Sequence, residues 1–179
     1  GDDEDLMSIK LAERGVGSII ALLRSVLGTE LGLIDTDRAD SITMAVPASA
    51  DYHGYVLDNI KGADSHVEVF EGELDFADNQ TDLASERATY DLPITIRVTW
   101  FNRNQDDMDD MVTRGRRYAS GVYNSLIKNQ QMADADDGTK LGRVVSVTPA
   151  YADIGSDDNS NLKGRITIEA VVQCEETQA

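Results

Sequence analysis

The run from residue 92 to residue 100 constrains the fold more than any other part of the chain. Leu92, Ile94, Ile96, Val98 and Trp100 alternate with Pro93, Thr95, Arg97 and Thr99. Successive side chains on a strand point to opposite faces, so this run reads as a strand with one apolar and one polar face. Such alternation belongs to an antiparallel sheet with one buried face. The buried face needs an apolar layer over it, and the rest of the chain must supply that layer.

Two segments have the right period. From Met7 to about Leu27, apolar residues recur at Ile9, Ala12, Val16, Ile19, Ile20, Leu23 and Leu27. Spacings of three and four place them on one face of a helix. Ser8 or the acids before it cap the start, and Gly28 and Gly32 suit the end. Gly15 and Gly17 inside it lower helix propensity, and glycines on a helix can also mark a close helix contact. The second helix runs from Asp106 to about Lys128, with Met108, Met111, Val112, Tyr118, Ala119, Val122, Leu126 and Ile127 on its apolar face. Asp106, Asp107, Asp109 and Asp110 crowd its first turn and Lys128 sits near its end, as the helix macrodipole favours. Asp110 and Arg114 are spaced for an ion pair.

Further strands are expected at 41–46, 66–76, 143–151 and 164–174. In the first, Ile42, Met44 and Val46 alternate and Pro47 stops the run. In the second, the apolar phase switches near Phe70, which reads as a bulge or bend. In the last, Ile166, Ile168, Ala170, Val172 and Cys174 share a face. Residues 52–60 read as a short helix, and 156–161 as a hairpin loop. Pro93 cannot donate to a ladder, so it belongs at a strand start or on an edge. The expected fold is α+β: a mainly antiparallel sheet of about five strands with two amphipathic helices packed on one face. Residues 9–176 form a single domain behind an acidic leader, 1–8. Met7 is an alternative start, which would make that leader dispensable.

Charge narrows the function. Asp and Glu number 33 against 16 Lys and Arg, a formal charge of -17, and 23 of the acids are Asp. Such a field repels phosphate backbones and anionic membranes, so broad nucleic-acid or membrane binding is disfavoured. Three readings of the acidity remain: a solvated surface, adaptation to high salt, or the lining of a passage for DNA. The apolar stretch 16–34 is broken by Arg24 and Glu30 and is too interrupted to span a bilayer. The acidic residues Asp2 to Asp5 are the opposite of a signal peptide's basic start.

No motif for chemistry is complete. Cys174 is the only cysteine, so it forms no intramolecular disulfide and makes no metal site alone. His66 and Glu68 share a strand face and read as surface residues, and His53 lies elsewhere. Asp134, Asp136, Asp137 and Gly138 resemble part of a calcium loop, but the bidentate position falls on Val145. Asp157, Asn159 and Asn161 start better, but Leu162 replaces the glycine and Ile168 the glutamate. Gly15-Val16-Gly17 lies inside a helix and lacks the third glycine of a dinucleotide fingerprint. Asp35-Thr36-Asp37 matches a D-x-D motif at chance frequency. The expectation is therefore no catalytic residues, no metal and no cofactor. Arg114, Arg116 and Arg117 form the one basic knot. It reads either as a docking point for an acidic neighbour or as salt bridging along the helix toward Asp109 and Asp110.

Taken in order, an N-terminal amphipathic helix leads into strands and then to Asp91-Leu92-Pro93-Ile94-Thr95-Ile96-Arg97-Val98. A helix follows that opens on acids and carries Arg116-Arg117-Tyr118, Val122 and Leu126. A hairpin ending Gly164-Arg165-Ile166-Thr167-Ile168-Glu169-Ala170 closes the domain. From about Ile9 to Glu175 this resembles the tail-terminator and neck proteins of tailed bacteriophages and related archaeal viruses. The resemblance implies a virion protein, assembled in the host cytoplasm, that forms a homohexameric ring at the head-proximal end of the tail. Such a ring ends tube polymerisation and joins the tail-tube protein to the neck or connector. DNA passes through it without specific binding, and an acidic lumen suits that passage. The interface residues expected on this reading are Pro93, Arg114, Arg116 and Arg117, with Asp82, Glu86 and Arg87 from the long loop at 77–89. That loop and the one at 129–140 depart from compact members, which leaves a neighbouring neck or head-completion protein as the alternative. The rivals are a capsid-decorating or baseplate component and, of another class, a monomeric acidic enzyme or ligand-binding domain of a salt-adapted organism.

Overall fold

The computed structural model describes residues 9–57, 65–76, 81–82, 87–101, 107–132, 138–153 and 162–177. Its elements are α1 (Ala12–Arg38), β1 (Tyr52–His53), β2 (His66–Glu71), β3 (Thr81–Asp82), β4 (Arg87–Phe101), α2 (Met108–Ile127), β5 (Thr139–Asp153) and β6 (Leu162–Thr177), with a 3-10 turn at Ser49–Asp51. The sheet order is β1-β2-β4-β6-β5, and the short β3 also pairs with β4. Among the described residues, every pairing is antiparallel except β1 with β2. The expected α+β fold is present.

β4 is the spine. Leu92, Ile94, Ile96, Val98 and Trp100 are buried, and Ala88 and Tyr90 carry the same phase back to the strand start. β6 meets it in register: Leu92 faces Val172, Ile94 faces Ala170, Ile96 faces Ile168 and Val98 faces Ile166. Burying each such large side chain contributes about 1.5–3 kcal/mol. A slip of one residue would turn the whole set to the polar face, so the pattern fixes the register.

Both helices cover the same face. A Cβ on Gly15 of α1 would lie 2.3 Å from Leu92 Cδ2, and one on Gly115 of α2 would lie 2.8 Å from the Trp100 ring. Both contacts are to inward residues of β4. The glycines let helix backbones approach the sheet where a methyl would clash. α1 is long and apolar enough to cross a membrane by length and composition. In the fold, however, Ile19, Leu23, Leu27 and Leu31 are fully buried in the common core, and a core helix passes the same test.

Several expectations need correction. α1 continues to Arg38 instead of ending near Gly28. Leu31 and Ile34 extend the buried stripe, and their burial outweighs a glycine cost of about 1 kcal/mol per site. The helix ends at Ala39, whose left-handed backbone (φ 47°) directs its N–H to Asp35 O. Ser8, expected to cap its start, lies outside the described residues; just ahead of the helix the Glu176 carboxylate, from the far end of the chain, accepts from the backbone N–H groups of Lys10 and Leu11. Residues 41–46 join no strand. β2 stops at Glu71, and its register with β4 is continuous from His66 to Glu71, without a bulge at Phe70. Only an isolated bridge, Asp75 with Asp91, continues it. Tyr52 and His53 are strand, not helix, and 58–60 lie outside the described residues.

Pro93 sits in the interior of β4. Its carbonyl accepts from Gly72 N at 2.8 Å, just past the end of β2. The N–H and C=O of one extended residue point the same way. The donor that proline lacks therefore faces the side where the ladder has run out.

α2 opens on Asp107, whose carboxylate accepts from Asp110 N while the Asp110 carboxylate accepts from Asp107 N. This capping box satisfies two otherwise orphaned donors. Met111, Tyr118, Val122 and Leu126 are buried, but Met108 and Ile127, expected on the same apolar face, are exposed.

Candidate functional site

The arginine knot divides. Arg117 is buried and donates to Asp40 and to Ile42 O. Arg114 donates to Thr43 O at 2.7 Å, and the Tyr118 hydroxyl donates to Ala45 O at 2.7 Å. Three side chains of α2 thus satisfy carbonyls of the segment 41–46, doing what a neighbouring strand would otherwise do. The Arg117 guanidinium holds the Asp40 carboxyl below its ordinary range. Arg116 alone of the three is exposed.

The other expected interface residues are scattered. Arg87, at the start of β4, reaches Glu175 across the strand pair at 2.5 Å. Both side chains are about half exposed, so the pair contributes little to stability. Asp82 lies in β3 opposite Arg87 in register. Glu86 lies outside the described residues, as do Asp106, Asp134, Asp136, Asp137, Asp157, Asn159 and Asn161, and the leader at 1–8.

A buried polar node closes the open end of the core. Glu176 meets the Tyr90 hydroxyl at 2.7 Å and the Arg14 guanidinium at 3.7 Å, and Arg14 Nε donates to Thr139 Oγ1 at 2.9 Å. Burial and then the Glu176 contact push the Tyr90 hydroxyl's pKa well up. Burial likewise raises the Cys174 thiol, which suits an inert core residue. Every member is engaged with another part of the fold, so the node is structural.

The sheet face away from the helices is not plain surface. Glu68, expected to face solvent, is fully buried: Leu57 N donates to it at 2.9 Å and Arg97 approaches at 3.3 Å. The chain following β1 folds over this corner and removes it from water. Arg97 also stacks on the Phe70 ring at 4.8 Å. Next to it, Asp51, His53 and His66 converge, with one donor atom from each lying within 4.8 Å of the others. All three are half-buried, and the histidine rings stack with centroids 6.0 Å apart. His66 lies 13 positions after His53 in the sequence, so only the parallel pairing of β1 with β2 brings them together. The presence of two histidines, in different elements, was the one signal available.

Finally, apolar side chains are exposed on the outermost strand β5 and in the segments that flank β1 in the chain. β5 carries Val145 at 55% and Val147 at 43% exposure; near β1 in the chain, Val46, Tyr55 and Val56 are 53%, 60% and 49% exposed. β5 and β1 are the opposite ends of the strand order.

No protein-family model matches the chain, and no curated protein matches it. Among solved structures, a chain from a structure described as the virion of a native gene transfer agent particle is similar at 14% identity and a TM-score of 0.38, covering 87% of this chain and 97% of that one. A likeness this loose transfers neither fold nor function from one chain to the other.

Proposed function

We propose that the chain is a structural subunit of a virion tail: a tail terminator that closes into a ring, ends tube growth and joins the tail to the neck. The observation that carries this reading is the unlike pair of strands that end the sheet, the two-residue β1 and the 15-residue β5, with Val145 and Val147 exposed on β5. Identical patches meeting each other give a two-fold dimer; two different patches meeting head to tail give a ring when the rotation closes. The start of β5 is already bridged to residues 130–132; past Leu141 no described residue pairs with its outer side, so it offers main-chain groups to an incoming segment, and Val145 and Val147 supply the side-chain contacts. Register shifts at Leu141/Arg143 and Val144/Ser146, with Pro149, break the edge into short stretches. That favours one shaped neighbour over indiscriminate pairing.

Six-fold closure and the identity of the neighbours come from the family resemblance in the sequence. Arg116, exposed on α2, is the arginine of the knot best placed to meet an acidic neighbour. With a charge of -17 per chain, the ring would present an acidic lumen that repels passing DNA. A neck or connector subunit would use the same ring contact but a different partner.

The test is to add the purified chain to tail tubes assembled without a terminator and to image them by electron microscopy. A terminator caps one end of each tube and stops elongation. Binding along the tube wall, or no binding at any concentration, overturns the role, and binding to the connector alone reassigns the chain to the neck.

A further inference from the structure

The geometry points to a binding site for one divalent first-row transition ion, held by Asp51, His53 and His66. This goes beyond the assembly role and does not rest on it. Asp51 ends the 3-10 turn, His53 ends β1 and His66 opens β2, so the three ligands come from three consecutive elements. Their donor atoms already lie within 4.8 Å of one another. Ligands around a tetrahedral zinc ion, each about 2.0–2.2 Å from it, sit roughly 3.4 Å apart, which small side-chain rotations would reach.

Two features separate this cluster from the chain's many exposed acids. The first is chemistry: two imidazoles and one carboxylate form a borderline donor set that favours Zn2+, Co2+ or Ni2+ over Ca2+ or Mg2+. The second is an unsatisfied ligand. His66 Nδ1 is buried and makes no hydrogen bond, and its nearest carboxylate oxygen, Asp51 Oδ1, stands off at 3.7 Å. A buried ring nitrogen without a partner costs free energy unless something fills its lone pair. An ion between His66, His53 and Asp51 would do so. Three protein ligands leave a fourth position for water or for a group from a neighbouring molecule.

The ion would act as a clip. β1 is two residues long and supplies the one parallel pairing among the described residues. Outside the ion, it is tied down by two register positions, by Arg24 donating to Ser49 O and Tyr52 O, and by Tyr52 packing in the core. Bridging Asp51 and His53 to His66 would lock this edge onto β2, close in the chain to the exposed Tyr55 and Val56.

The experiment is a titration of the full chain with Zn2+ by calorimetry, with Co2+ as a spectroscopic probe, in the presence of millimolar Ca2+ and Mg2+. One equivalent should bind, and Co2+ should give the visible absorption of a low-symmetry nitrogen and oxygen site. His53→Gln and His66→Gln should each weaken binding by on the order of tenfold or more, with circular dichroism confirming that the variants fold. Zn2+ should also raise the melting temperature of the wild type but not of the double variant. If the variants bind as the wild type does, or if Ca2+ displaces the ion, the binding is diffuse attraction to an acidic surface and the site is refuted. Variants that fail to fold leave the wild-type stoichiometry, the Ca2+ competition and the melting shift to decide.

Discussion

Tyr52 opens β1 and is buried, its hydroxyl donating to Leu23 O of α1 at 3.4 Å. Burial pushes its pKa up from 10.0 to about 12, against the opposing pull of Arg24. The sign of the consequence follows from proton counting. Between about pH 10 and pH 12 the unfolded chain has lost this proton and the folded chain retains it, so folding stability falls as pH rises. The contribution is complete below about pH 10 and gone above the folded value. Urea midpoints measured from about pH 9 to 12 should therefore drop, and Tyr52→Phe should flatten that drop. An unchanged profile in the variant would mean that other groups, Tyr90 first among them, carry the alkaline transition. Glu176 shows how distant a controlling residue can be. It binds the Leu11 N–H just ahead of α1 from 165 positions away, so no local rule for helix starts could have identified it.

The glycines of the helices show how far element-level rules reach. Gly32 lies inside α1, exposed, with nothing within 4 Å of where an alanine methyl would sit. Gly32→Ala should stabilise the fold by up to about 1 kcal/mol through helix propensity alone. Gly115 is the opposite case: a Cβ there would meet the Tyr151 hydroxyl at 2.6 Å and the Trp100 ring at 2.8 Å. Gly115→Ala should cost about 1–3 kcal/mol by overpacking, despite the better helix former. Denaturant unfolding of the two variants checks both signs. The same contrast explains what the sequence could reveal. Strands β4 and β6 and both helices were legible because burial on one face writes itself into period two or period 3.6. The end of α1 is misplaced by reading glycine as a stop, whereas Leu31 and Ile34 continue the buried stripe. Residues 41–46 alternate as a strand does, yet their carbonyls are satisfied by Arg114, Arg117 and Tyr118 of α2. Alternation reports burial on one side and not the partner that satisfies the backbone.

Among the described residues the molecule is one sheet ending in two unlike strands, β1 and β5, with a helical roof on one face and a partly covered opposite face that holds Glu68 and Arg97. The edges were not legible in the sequence, because which strand is outermost depends on pairing between segments far apart in the chain. The convergence of Asp51, His53 and His66 was hidden for the same reason. The acidity was legible, and its proposed use depends on the assembly. Native mass spectrometry reads that assembly out, on the wild type and on Val145→Asp/Val147→Asp, each alone and with tail-tube protein. The wild type should give a single closed species at a fixed multiple of the 19.5 kDa chain, reduced to monomer in the folded variant. A wild type that stays at 19.5 kDa under every condition, or a variant that still forms the ring, would refute closure through these edges.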